Sequence, residues 1–400
     1  MRVAIVNTIP IHRSTGGVAQ YSTDLATNLV KRGVKVMLFS LSPEENTFTS
    51  NGYIEKEIVQ PGYSSSGSSM GRMVDYFSIG VLGSRPSVSA MNKNTALING
   101  LAKFNPDAII SPGYQLTDIL IKYVSSQNRK KVALVADLDS YKSIIYDYEL
   151  GINRMRESYP GLVVDAFESF IKENYLRYGL EMYGRMIKAA DAVVFPSKAP
   201  EIETVKKYGK HGIYVEIPRA FISPLKNRPK PSKKVRKIAF IGSYLYGPNT
   251  DAVNFIEKKI APMLPDKKFI IAGKDCPKKT VGNINYLGEV KDIEEVIAKS
   301  DVCLAPIVTN SGMKMKLAYY FKYSKAVIGT KIALRGYNIK DGYNVIVEDK
   351  IEDYCLRIRE LENDTRLFQT IQKNAATVAK PLYTETVANL WVSLLKRVVK

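Results

Sequence analysis

Cysteine and histidine are scarce in this chain, with three and two among 400 residues. Cys276, Cys303 and Cys355 are odd in number and far apart, which excludes a disulfide framework and matches no zinc spacing. The setting this implies is reducing and cytoplasmic. Cys303, inside an apolar run, reads as a small core residue. Also missing is any run of about 18 apolar residues, so no membrane span is expected. The opening MRVAIVNTIP has one basic residue and a short apolar run, and reads as a first strand, not a signal peptide. What remains is the composition of an ordinary globular protein, 45% hydrophobic and 24% charged, long enough for two domains at about 150 residues each.

Acidic residues are outnumbered 58 to 39, a net charge of +19. Such an excess suggests nucleic acid or an anionic membrane, so its distribution decides. Residues 1–222 carry 26 basic and 21 acidic groups, whereas residues 223–237, SPLKNRPKPSKKVRK, carry seven basic and none acidic. Three prolines and no apolar periodicity make that segment a solvated linker. Contact with anionic lipid headgroups, placing a cytoplasmic protein peripherally at a membrane, is the other reading. Outside the linker no basic stripe is interleaved with stacking aromatics, so nucleic acid is not the expected partner.

The most informative stretch runs from Asp301 to Tyr337. Its order is a buried strand (302–305), a polar turn (309–312), a helix with Lys314 and Lys316 in its first turn, and a second strand (326–329). In a parallel α/β sheet this unit sets free backbone N–H groups at the ligand-binding edge. Helix starts normally prefer Asp or Glu, so two lysines there imply that the anion comes from outside. Solvated surface lysines are the plainer reading of the pair taken alone.

The chain opens in the same α/β manner. Strand 2–7 leads through a polar loop with Gly16 and Gly17 to an amphipathic helix over 18–32, then to a strand over 34–40. His12 in that loop reads as polar surface. Residues 63–88 read as a long loop with a short helix. Strands are expected after Pro106 and over 131–136. Asp137-Leu-Asp139 offers two carboxylates at i and i+2, a short and common pattern for a metal. A helix over 163–190, broken near Gly179 and Gly184, precedes a strand after Asp191. After the basic segment, further strands are expected over 237–241 and 268–273, with a turn at 285–290. Short helices follow at 293–299 and 385–399.

Several phrases resemble the GT-B glycosyltransferases, especially retaining enzymes of glycosyltransferase family 4: SGMKMKLAYYFKYSKAVIGT, ADAVVFPSKAPEIETVKKYG and FIGSYLYGPNTDAVNFI. The resemblance implies two Rossmann-like, doubly wound domains facing a cleft, at 1–222 (acceptor side) and 238–383 (nucleotide sugar). It also implies a 223–237 linker and a helix at 384–400 returning to the first domain. It places Gly16, Gly17, Gly242, Ser243, Gly312, Met313, Lys314 and Lys316 on the donor, and Lys316 at the leaving phosphate. Asp137 occupies the place of a His-Asp or Arg-Asp pair beside the transferred sugar, with alanine before it. Arg219, where relatives have Asn, would be a phosphate contact. The family's Glu, seven residues, Glu falls here on Ser311 and Tyr319, which complete the expected donor set; neither binds a diol as a carboxylate does, and Tyr319 offers one hydrogen bond in its place.

The expectation is an enzyme of glycan biosynthesis. It would move a hexose from a UDP- or GDP-sugar to an unidentified acceptor hydroxyl, with retention, without metal and without cofactor. The lost Glu pair keeps a catalytically silent GT-B binding subunit open, and the charge keeps open a sugar transferase acting on nucleic acid.

Overall fold

The computed structural model describes residues 1–9, 11–12, 17–42, 44–59, 94–127, 131–145, 148–149, 152, 161–227, 229–244, 246–309 and 312–399. The expected loop at 63–88 lies outside them. The chain forms two compact units, Met1–Pro218 with Val387–Lys400, and Arg219–Thr386.

In the first unit the strands are β1 (Arg2–Asn7), β2 (Lys35–Ser42), β3 (Asn46–Ser50), β4 (Tyr53–Val59), β5 (Ala108–Pro112), β6 (Ala133–Asp137), β7 (Ala192–Phe195) and β8 (Ile213–Glu216). They join in the order β3-β4-β2-β1-β5-β6-β7-β8. Every pairing is parallel except β3 with β4. Among its helices are α1 (Gly17–Val30), α2 (Thr95–Phe104), α3 (Thr117–Ser125), α4 (Gly161–Ala189) and α5 (Lys198–Tyr208). β1, β6 and β7 are apolar along nearly their whole length because helices cover both sheet faces.

Two sequence expectations change here. The antiparallel β3–β4 hairpin was not foreseen, although Asn51-Gly52 sits at its tip with φ +46° and +82°, the pair a type I′ turn requires. The breaks expected near Gly179 and Gly184 do not occur, since α4 is continuous. Those glycines give room for close packing instead. A Cβ on Gly179 would lie 2.7 Å from Ile144 Cγ2, and one on Gly184 2.9 Å from the Tyr208 ring.

The second unit holds β9 (Lys237–Ile241), β10 (Lys268–Ala272), β11 (Lys278–Val281), β12 (Ile284–Gly288), β13 (Val302–Ala305), β14 (Ala326–Gly329) and β15 (Ile346–Val347). Their order is β11-β12-β10-β9-β13-β14-β15, with only β11–β12 antiparallel. The helices are α6 (Gly247–Phe255), α7 (Ile293–Ala298), α8 (Met315–Lys322), α9 (Tyr354–Asn363), α10 (Thr365–Ala379) and α11 (Thr384–Val398). From Val387 onward α11 is counted with the first unit. The turn expected at 285–290 is largely strand β12, whose Tyr286 is buried and pairs with Lys279 and Ile271.

The basic segment is fastened to the second unit. Asp301 accepts from Ser232 Oγ (2.7 Å) and from the backbone N–H groups of Arg236 (2.9 Å) and Lys237 (2.8 Å). Gln372 accepts from the Ser232 N–H (2.7 Å) and donates to its carbonyl (3.0 Å). Asp301→Ala therefore removes three hydrogen bonds, and is expected to destabilise this unit by about 2 kcal/mol in urea unfolding. A change within experimental error would show that the segment is not held by these bonds. Among the described residues no helix is long and apolar enough to cross a membrane.

Candidate functional site

In the second sheet the chain order reverses between β9 and β13, the two strands at the topological switch point. Ligands of open α/β sheets bind beyond the carboxyl ends of such strands. Beyond β9 come Gly242 and Ser243, and beyond β13 the chain leads to α8.

Gly242 is set by the strand beside it. Its N–H donates to Ala272 O (3.0 Å), while its carbonyl lies close enough to Gly273 to exclude any side chain there. Space above Gly242 is equally short, because a Cβ would stand 2.6 Å from Asn249 Nδ2 and 2.8 Å from Lys316 Nζ. Asn249, in the first turn of α6, donates to Ser243 O (2.9 Å) and accepts from Lys316 Nζ (2.6 Å). A glycine strand end, an asparagine amide and a lysine ammonium thus converge on one point. Lys316 Nζ also lies over the Phe240 ring, 3.9 Å from its centroid, a cation–π contact that steadies the charge.

α8 begins one residue later than expected. Lys314 is its cap, with extended φ and ψ of −89° and 100°, and only Lys316 lies within the first turn. No acidic residue occupies that turn. The buried Tyr320 accepts the Ile241 N–H (2.9 Å), which ties α8 to the end of β9. Tyr337 Oη donates to Lys314 O (2.6 Å) and fixes the cap. Lys314 is buried and its ammonium donates to Gly312 O. Burial, and then the neighbouring Lys314 charge, pushes the Lys316 ammonium well below the ordinary lysine range. Two like charges held this way favour an anion between or beside them.

The other expected residues are distributed as follows. Met313 packs on the core beneath Gly336, and Tyr319 packs its ring on the core of the same unit. Arg219 is half-buried at the first position of the second unit. In the first unit Gly17 begins α1 and is exposed, and Asp137 ends β6, fully buried in register with Pro112 and Val194. Gly16 and Ser311 lie outside the described residues. Asn249 and Phe240 were not foreseen as site residues. The signal for Asn249 was its place in the first turn after a Gly-Ser strand end.

Residues 235–364 match the family model of glycosyl transferases group 1. Comparison with curated protein sequences finds no match. Among solved structures, sucrose-phosphate synthase from Thermosynechococcus elongatus aligns over 99% of this chain and 98% of its own, with TM-score 0.68 and 13% identity. An α,α-trehalose-phosphate synthase (UDP-forming) from Burkholderia xenovorans, in complex with glucose-6-phosphate, covers 99% and 100% with TM-score 0.66 and 11% identity. HepE of Anabaena, in complex with UDP-glucose, covers 99% and 100% with TM-score 0.64 and 12% identity. These likenesses show the fold: two Rossmann-like α/β units of GT-B type, as expected. The resemblance to group 1 glycosyl transferases is borne out over the second unit.

Proposed function

We propose, from the glycosyl transferases group 1 segment as premise, that this chain transfers a hexose from a nucleoside-diphosphate sugar to an acceptor hydroxyl. The observation that carries this reading is the convergence of Lys316 Nζ and Asn249 on Gly242 at the switch point, with Lys314 at the same helix start. A diphosphate brought to this place meets two ammonium groups and the backbone N–H groups of a helix start free of acidic side chains. Charge grows on the leaving phosphate as the glycosidic bond breaks. A pre-positioned lysine therefore stabilises the transition state more than the ground state. The lysine pair supplies this stabilisation without a metal at the diphosphate, and retention of the anomeric configuration is part of the same reading. Since solved proteins of like fold hold UDP and UDP-glucose, a uridine donor is the first to try.

The test is release of UDP or GDP from UDP-glucose and GDP-mannose by the purified chain, with the product's anomeric proton followed by NMR. Slow hydrolysis of one donor to the sugar with unchanged anomeric configuration is the expected result. Inverted product would overturn retention, and no release from any nucleotide sugar at any enzyme concentration would overturn the enzyme. That last outcome, with nucleotide still bound, is the silent-homologue reading. Its support is Tyr319, packed on the core where the resemblance calls for a carboxylate.

The Lys316 shift has a pH signature. A diphosphate favours the charged ammonium, so donor affinity is expected to fall as pH rises, beginning below the ordinary lysine range near about 10.4. The free protein behaves oppositely. Its stability rises through the same window, because the unfolded chain binds a proton there that the folded chain has released. Isothermal titration at a series of pH values checks the first sign. Affinity that is flat with pH would contradict it.

A further inference from the structure

The first unit contains a cluster that plays no part in the proposed donor site. Glu55 and Glu57, at i and i+2 on β4, face the same side of the strand, and both are buried, 2% and 0% exposed. The Nδ1 of His12 lies 3.2 Å from Glu57 Oε1 and 3.8 Å from Glu55 Oε2. One ligand atom from each of the three residues falls within 4.8 Å of the others.

The outer oxygens are already held by protein donors. Glu55 Oε1 accepts from the Ile11 N–H (2.9 Å) and from Ser40 Oγ (2.7 Å). Glu57 Oε2 accepts from Asn46 Nδ2 (2.8 Å). Each carboxylate therefore turns its other oxygen toward the imidazole, the arrangement in which outer hydrogen bonds orient ligands around a metal. One imidazole nitrogen facing two carboxylate oxygens is a donor set that a divalent cation takes.

We propose that His12, Glu55 and Glu57 form a site for a divalent transition metal, with Zn²⁺ as its natural test ion. One imidazole and two carboxylates suit zinc or manganese. Magnesium and calcium prefer oxygen ligands throughout. Ligand bonds of about 2.0–2.2 Å set ligand atoms roughly 3.4 Å apart in a tetrahedron. His12 Nδ1 and Glu57 Oε1 already stand 3.2 Å apart, and Glu55 Oε2, 3.8 Å from the imidazole, moves in by a few tenths of an ångström on binding. The fourth position is left to water. The metal ties the loop that carries His12 to β4, two elements distant in sequence.

The test uses the full chain, freed of metal with a chelator and titrated with Zn²⁺ by calorimetry. Expected is one equivalent of Zn²⁺, with binding weakened about a hundredfold or more in His12→Ala and in Glu57→Gln. Asn46→Ala, which only loosens Glu57, is expected to weaken it about 10- to 100-fold. Mg²⁺ is expected to give no heat. Because a variant can fail to fold, the wild-type chain is also titrated with Co²⁺. Intense visible bands of four- or five-coordinate cobalt support the site, and a weak six-coordinate spectrum overturns it. Zn²⁺ binding unchanged in His12→Ala and Glu57→Gln overturns it too, as does no Zn²⁺ binding at all. In that last case the cluster is a direct contact of His12 with the two carboxylates.

Discussion

Lys316→Ala is expected to lower the rate of donor cleavage by roughly a hundredfold or more. The side chain does two things that alanine cannot. Its ammonium donates to Asn249 and stands over Phe240 at the point where Gly242 leaves no room for a side chain. It also carries the charge that a departing nucleoside diphosphate needs. A loss of turnover larger than the loss of donor affinity would show that the lysine acts chiefly in the transition state. A loss of affinity with turnover at saturating donor unchanged would show uniform binding. Lys316→Arg is the informative companion, since the charge is kept but the larger planar head does not fit between Asn249 and Phe240. Near-normal turnover in Lys316→Ala would remove this residue from the chemistry.

Gly273→Ala is expected to destabilise the second unit by about 3 kcal/mol or more, among the largest effects of a single methyl group. Gly273 has φ +149°, a conformation L residues rarely adopt, and the added Cβ would lie 2.1 Å from Gly242 O and 2.6 Å from its carbonyl carbon. The obstacle is backbone, not a side chain that can turn away, so β10 or the β9 strand end must move. Movement of Gly242 displaces Asn249 and Lys316 as well. Donor binding is thus expected to fall together with stability, measured by urea unfolding and calorimetry. Gly282→Ala is the control. Its φ is +55°, but nothing lies within 4 Å of the new methyl group, so only the backbone strain of about 1 kcal/mol remains. Equal losses in the two variants would show that the approach of Gly273 to Gly242 is not tight.

Much of the fold could be read from local pattern. β1, β9, β13 and β14 are short apolar runs that parallel sheets bury on both faces, and their limits are those expected from the residues. Glycine misled in α4, where Gly179 and Gly184 look like breaks. They are contact points for Ile144 and Tyr208, and which residues approach a helix is a tertiary fact. β3 and β4 escaped notice because YIEKEIV carries three charges among its seven residues and hides its strand character. The Asn51-Gly52 turn was the missed clue.

The site was legible to a similar degree. The lysines of 314–316 stand out because a helix start favours acids, and the structure sets Lys316 against Gly242. The partnership with Asn249 crosses 67 positions, and no pattern within one segment reveals it. The His12, Glu55 and Glu57 cluster was illegible for the same reason. A lone histidine in a loop is ordinary until the sheet order brings β4 beside it.

The central claim is that the second unit binds the diphosphate of a nucleotide sugar through Lys314 and Lys316. Calorimetric titration of UDP, GDP, UDP-glucose and GDP-mannose into the wild-type chain and into Lys316→Ala tests it most directly. One nucleotide and its sugar are predicted to bind the wild type, and to bind the variant more weakly or not at all. Equal binding to both proteins would place the nucleotide elsewhere. Absence of binding by every nucleotide to the folded wild type would contradict the account.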